Sequence, residues 1–173
     1  MREKKSGGFT VTELMTVVAI MGILASIAMI CTTEYTSRTK LRTTIHLIAA
    51  HIRQARLTAI CTSKACNIKF DISANYFTIN GTHNVMLPKG VRFGADPGVS
   101  GCPDAPYILP PADGVSFDSP GNPNTLTYHP TGLVVPAGTV YITDGKQTMA
   151  VRVSSIGRPK SWRSSGGSTW KMI

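Results

Sequence analysis

Residues 6–31 read Ser6-Gly-Gly-Phe9-Thr-Val-Thr-Glu13-Leu-Met-Thr-Val-Val-Ala-Ile20-Met-Gly-Ile-Leu-Ala-Ser26-Ile-Ala-Met-Ile-Cys31. A short basic leader carrying Arg2, Lys4 and Lys5 precedes this stretch and ends at Gly7-Gly8. From Phe9 the chain is apolar to Cys31, with a single acid, Glu13, inside the run. As a helix these residues rise about 34 Å, enough to cross a hydrocarbon core of about 30 Å. The cations ahead of the run predict a cytoplasmic N-terminus, with the remainder sent across. A carboxylate in a helix of this kind is unfavourable by a few kcal/mol, so it marks function and a specific partner. An ordinary secretory signal peptide, cut after Ser26-Ile27-Ala28, is the competing reading. It fits poorly, because the run exceeds the usual h-region of about 7–15 residues and contains Glu13. A plain membrane anchor explains the length but not the glutamate.

Glycine, then an aromatic residue, then glutamate five residues into the apolar run resembles the type III leader and N-terminal segment of type IV pilins and pseudopilins. The resemblance implies that a prepilin peptidase cuts between Gly8 and Phe9 and that the new amine of Phe9 is N-methylated. It also implies a role for Glu13 in assembly, matched to the terminal amine of a neighbouring subunit as the helix leaves the membrane for a filament. An anion in a nonpolar helical bundle needs such a cation nearby. The implied partners are other pilins or pseudopilins, the peptidase and an inner-membrane assembly platform. Where many pilins carry a proline, this chain has Ile30, so no local helix break is expected there.

The chain has 173 residues and a formal net charge of +9. Removal of residues 1–8, with three cations and one acid, leaves +7 on the mature chain. About 140 residues follow the apolar segment, enough for one compact domain. Seven of the eleven prolines fall between Asp96 and Asn124, which predicts a long irregular excursion. The expected organisation is a leader at 1–8, a transmembrane and assembly helix at 9–31, an amphipathic helix at 32–60 and a β-rich periplasmic domain at 61–173.

Leu41, Ile45, Ile48, Ile52, Ala55 and Ala59 step by four and three, forming one apolar stripe, with Arg38, Arg42, His46, Arg53 and Arg56 on an adjacent basic face. No Gly or Pro intervenes after the membrane segment, so one helix from about Phe9 to Ile60 is predicted. From Cys66 the period becomes two. Asn67–Ile72 and Tyr76–Ile79 read as strands, followed by Val91–Phe93, Val115–Phe117, Thr125–His129 and Leu133–Val135. Thr139–Thr143 and Gln147–Val153, joined through Asp144-Gly145, read as a hairpin. The fold class is therefore α+β, a long N-terminal helix packed on an antiparallel sheet. That order, with a Pro-Thr-Gly turn at 130–132 and Ser155-Ile-Gly-Arg158 after the hairpin, is similar to the GspH/FimT family. The family contains the H-type pseudopilins of type II secretion and the FimT/FimU-type minor pilins, and the resemblance leaves both open.

Cys61, Cys66 and Cys102 are disulfide candidates in an oxidising periplasm, with connectivity open and Cys31 as the odd thiol. A zinc site is disfavoured, since Cys-x4-Cys has no nearby histidine, and no cofactor is implied. His46, His51, His83 and His129 have no ligand spacing, and no nucleophile elbow, phosphate loop or dinucleotide fingerprint occurs, so catalysis is not expected. After Asp144 the chain has no acid but holds Lys146, Arg152, Arg158, Lys160, Arg163 and Lys171. Residues 155–163 are similar to the Gly-Arg-x-Arg ending of FimT-type pilins implicated in DNA uptake, with Lys160 in place of the second arginine. The DNA-binding candidates are Arg152, Arg158, Lys160, Trp162, Arg163 and Lys171, the cations meeting phosphates and Trp162 or Trp170 stacking on a base. The alternative is a solvated basic segment whose Trp162 packs on the sheet edge.

Overall fold

The computed structural model describes residues 8–103, 105, 109–118 and 121–173, with the side chains of 28–34 outside the description. Gly8 and Phe9 are described; Arg2, Lys4 and Lys5 are not. One helix, α1 (Val11–Thr62), runs without interruption through Ile30, as the sequence predicts. The chain divides into two units, Met1–Thr36 and Ser37–Ile173.

In the first unit the helix starts at Thr10, whose hydroxyl and carbonyl both accept the Glu13 N–H, at 3.3 and 3.1 Å. This is half of a capping box, and it places Glu13 in the first turn, where an anion complements the helix dipole. Beyond it, apolar side chains are exposed around the whole circumference, including Val11, Leu14, Val18, Met21, Leu24 and Ile27. Among the described residues no helix is long and apolar enough to cross a membrane. The last turn of the span expected at 9–31 lies outside the described side chains.

In the second unit the predicted stripe is the core. Leu41, Ile45, Ile48, Ile52, Ala55 and Ala59 are all buried, joined by Thr44 and Ala49. The sequence predicts one sheet, whereas the structure has two. The first has the order β3-β2-β1-β5, with β1 (Cys66–Asp71), β2 (Tyr76–Ile79), β3 (His83–Met86) and β5 (Thr125–Tyr128). The second has the order β4-β6-β7-β8-β9, with β4 (Arg92–Phe93), β6 (Gly138–Thr143), β7 (Thr148–Val153), β8 (Pro159–Ser164) and β9 (Trp170–Met172). All named pairs are antiparallel. Phe70 on β1 joins them: its ring lies 5.9 Å from Phe77, 5.9 Å from Phe93 and 5.8 Å from Phe117.

Val115–Phe117 is not a strand but a tie between the sheets. Phe117 O accepts from Thr125 N at 3.0 Å, and Ser116 exchanges bonds with Thr139 on β6. Leu133–Val135 is likewise reduced to a single bridge, Val134 to Tyr128. The hairpin register pairs Thr143 with Thr148, so its loop holds four residues rather than the three between the expected strands. Asp144 Oδ1 accepts from the N–H groups of Lys146 and Gln147, and Gly145 takes the positive φ the turn needs.

Candidate assembly segment and basic faces

The Pro-rich excursion contains no strand among its described residues and is pinned to the second sheet. The Asp96 carboxylate accepts from Thr143 Oγ1 at 2.7 Å and Thr148 Oγ1 at 2.9 Å. Farther along, Cys102 N–H donates to the Tyr141 hydroxyl at 3.1 Å, and Ser100 N–H donates to Gly167 O at 3.1 Å. Burial pushes the Tyr141 phenol well above its ordinary range. Cys102, Tyr141 and Ala150 form a second small core, on which Trp162 and Trp170 pack half-buried.

Among the described residues no bridge joins the disulfide candidates Cys61, Cys66 and Cys102 to one another. Period-two alternation turns Cys66 into the main core, while Cys61, beyond the last buried turn of α1, faces outward. Cys102 is buried in the other cluster, its sulfur 3.8 Å from Thr139 Oγ1. Burial raises the Cys66 thiol above its ordinary value, against a smaller opposing hydrogen bond from Asn80. No cluster of three metal-ligating residues occurs among the described residues.

The C-terminal cations do not share one face. Residues 159–164 form β8 and residues 170–172 form β9, rather than an irregular segment. Arg152 on β7 stands opposite Lys160 on β8, and Ala150 stands opposite Trp162. Alternation therefore puts Arg152, Lys160 and Trp162 on the face of Tyr141 and Cys102. Arg152 Nη1 donates to Thr139 Oγ1 at 3.3 Å on that same face. Arg163 and Lys171 pair with each other on the opposite face, which also carries the core residues Met149 and Val151. Lys160 and Lys171 are exposed, whereas Arg152, Trp162 and Arg163 are half-buried. Arg158 belongs to neither set; it lies exposed in the loop before β8.

That loop reveals a corner the sequence reading missed. Tyr128 hydroxyl donates to Gly157 O at 3.0 Å, and a Cβ on Gly157 would sit 2.3 Å from Gly132 O and 2.9 Å from Tyr128 Cε1. A Cβ on Gly132 would in turn meet Ile60 Cδ1 at 2.9 Å and Arg56 Nε at 3.2 Å. Burial raises the Tyr128 phenol strongly, and the Arg56 charge opposes that shift. The helix end, the 129–134 turn and the 154–158 turn thus converge. The two glycines, at φ of +78° and +76°, were the available signal.

Residues 4–29 match the family model of the prokaryotic N-terminal methylation motif. That match carries Gly8, Phe9 and Glu13 within it, so the chain has a prokaryotic N-terminal methylation motif at its start. No curated protein matches the chain. Among solved structures it is similar to the minor pseudopilin EpsH from the Type 2 Secretion System of Vibrio cholerae, at 11% identity and a TM-score of 0.47. That likeness covers 78% of this chain and 96% of that one.

Proposed function

We propose that this chain is an assembling, non-enzymatic subunit of a filament: a minor pilin of a type IV pilus, or alternatively an H-type pseudopilin of a type II secretion system. It is held in the bacterial inner membrane by its N-terminal helix, with residues 37–173 in the periplasm, until it enters the filament. The observation that carries the reading is the first unit itself. A helix with apolar side chains exposed all round is at home only among lipid tails or other apolar helices, and the methylation motif overlies it. Glu13 is the group that needs a cationic partner in that setting, and the freed, methylated amine of Phe9 on a neighbour supplies one.

The experiment is N-terminal analysis of the protein from its own host. A mature chain beginning at methylated Phe9 is expected; one beginning at Met29 establishes the signal-peptide reading and sinks this one. Replacing Gly8 with a bulky residue leaves the precursor uncleaved. Replacing Glu13 leaves cleavage intact but reduces incorporation into filaments.

A nucleic-acid role on top of assembly rests on one observation, the pairing of Arg152 and Lys160 on the same face as Trp162. The face is small, so binding is modest and without sequence preference. Changing Lys160 to Gln should weaken binding uniformly across sequences and lower the salt slope by about one unit. Arg163→Gln, on the other face, should leave the slope unchanged. Absence of binding at low salt leaves the chain a structural subunit only.

A further inference from the structure

The corner formed by the end of α1 and the two turns carries a surface that nothing within the chain covers among the described residues. Leu57 (61%), Ile60 (43%), Leu133 (50%) and Ile156 (53%) are all exposed there, on three segments that the Gly132 and Gly157 contacts hold together. Single exposed aliphatic residues are ordinary, but four on converging segments form a patch.

The charges around the patch are of one sign. Arg53 and Arg158 are exposed, and Arg56 is half-buried with its Nε enclosed and lacking a hydrogen-bond partner. The three elements that build the corner contain no acid whatever: none occurs between Glu34 and Asp71, between Asp118 and Asp144, or after Asp144. The Arg56 Nε–H has no hydrogen-bond partner among the described residues, and a carboxylate from outside the corner would supply one.

We propose that this corner docks an acidic, aliphatic segment of a different filament subunit, with partner carboxylates on Arg53, Arg56 and Arg158 and partner aliphatic side chains on Leu57, Ile60, Leu133 and Ile156. A second copy is a poor occupant, since the mature chain carries +7 and the same acid-free corner. Nucleic acid is also disfavoured, because the four knobs are aliphatic, and His129 in the neighbouring turn is a single ring where base-stacking sites use several. The proposal rests on the pilin reading for the identity of its partner.

The test uses the full chain in its host, with a photo-crosslinking amino acid at Leu57 or Ile156 and, as a control, at exposed Asn84 on β3. The expected result is an adduct from the first two positions with another prepilin-type subunit, its contacting segment rich in Asp and Glu. The exposed-residue variant Arg53→Glu/Arg158→Glu should cut that adduct at least fivefold, and Lys substitutions at the partner's contacting acids should restore it. An adduct with a second copy or with nucleic acid overturns the proposal. So does an adduct whose yield ignores the charge reversal, or no adduct from a processed chain present at normal level. Cleavage at Gly8–Phe9, read on the same sample, separates the two readings. A cleaved chain without adduct defeats the docking alone. An uncleaved chain that still gives the charge-dependent adduct defeats the pilin reading and leaves the corner a docking site.

Discussion

Gly157 shows how one missing methyl organises a surface. Its φ is in the left-handed region, and its α-carbon is approached by backbone and by an aromatic edge, neither of which yields cheaply. Gly157→Ala should therefore cost at least about 2 kcal/mol, combining backbone strain with displacement of the 129–134 turn. Gly145→Ala, with open space around it, meets only the strain and should cost about 1 kcal/mol. Urea denaturation of both variants, compared at one temperature, checks the difference. The cysteines give a second residue-level outcome. In the native protein Cys61 should be alkylated at the rate of a free thiol, and Cys66 far more slowly, being buried with a raised pKa. Equal rates would contradict the outward and inward assignments. Asp71 fixes an acid dependence: hydrogen bonds from the Ala74 N–H and the Ser73 hydroxyl hold its carboxyl below the usual range. A depressed folded pKa contributes stability that is complete above the unfolded value of about 4 and is lost as the pH falls through the folded one. Asp71→Asn should accordingly flatten the decline of stability below about pH 4, as followed by thermal melts across that range.

At the level of elements, α1 illustrates why periodicity is readable. Its stripe is buried at every predicted position, so Ile48→Asp places an unpaired charge in the main core and should exceed about 4 kcal/mol, with loss of folded protein in the membrane fraction. The long strands were legible for a related reason: Ile68, Phe70, Phe77 and the 139–153 hairpin alternate or carry β-branched runs. Strands β8 and β9 were not. Pro-Lys-Ser-Trp-Arg-Ser and Trp-Lys-Met look like loop by composition, and they are strands because β7 offers an unpaired edge that tertiary pairing fills. The division into two sheets was equally hidden, since it depends on where Val115–Phe117 lodges and not on any local pattern. The candidate site fared the same way. Gly8, Phe9 and Glu13 lie close together in one local motif that the sequence displays, whereas the split of the C-terminal cations follows from register, which a one-residue shift reverses.

For the whole molecule, the first sheet sets an order of events. Its inner strand β1 pairs on one side with β2, a few residues downstream, but on the other with β5, matching Cys66 to Tyr128. The α1 stripe and the Phe70 ring therefore have no complete cover until the chain beyond residue 128 is present, and the second sheet needs residues to 172. A chain that emerges from its N-terminal end, as every chain does in synthesis, exposes that apolar stripe first and its covering strands last. Such a topology is one of high contact order, with loop closure preceding its reward, so folding is slow relative to a helical bundle of this size. The partly emerged chain is thus a sticky intermediate, and residues 41–59 stay without cover for as long as residues 66–128 take to arrive.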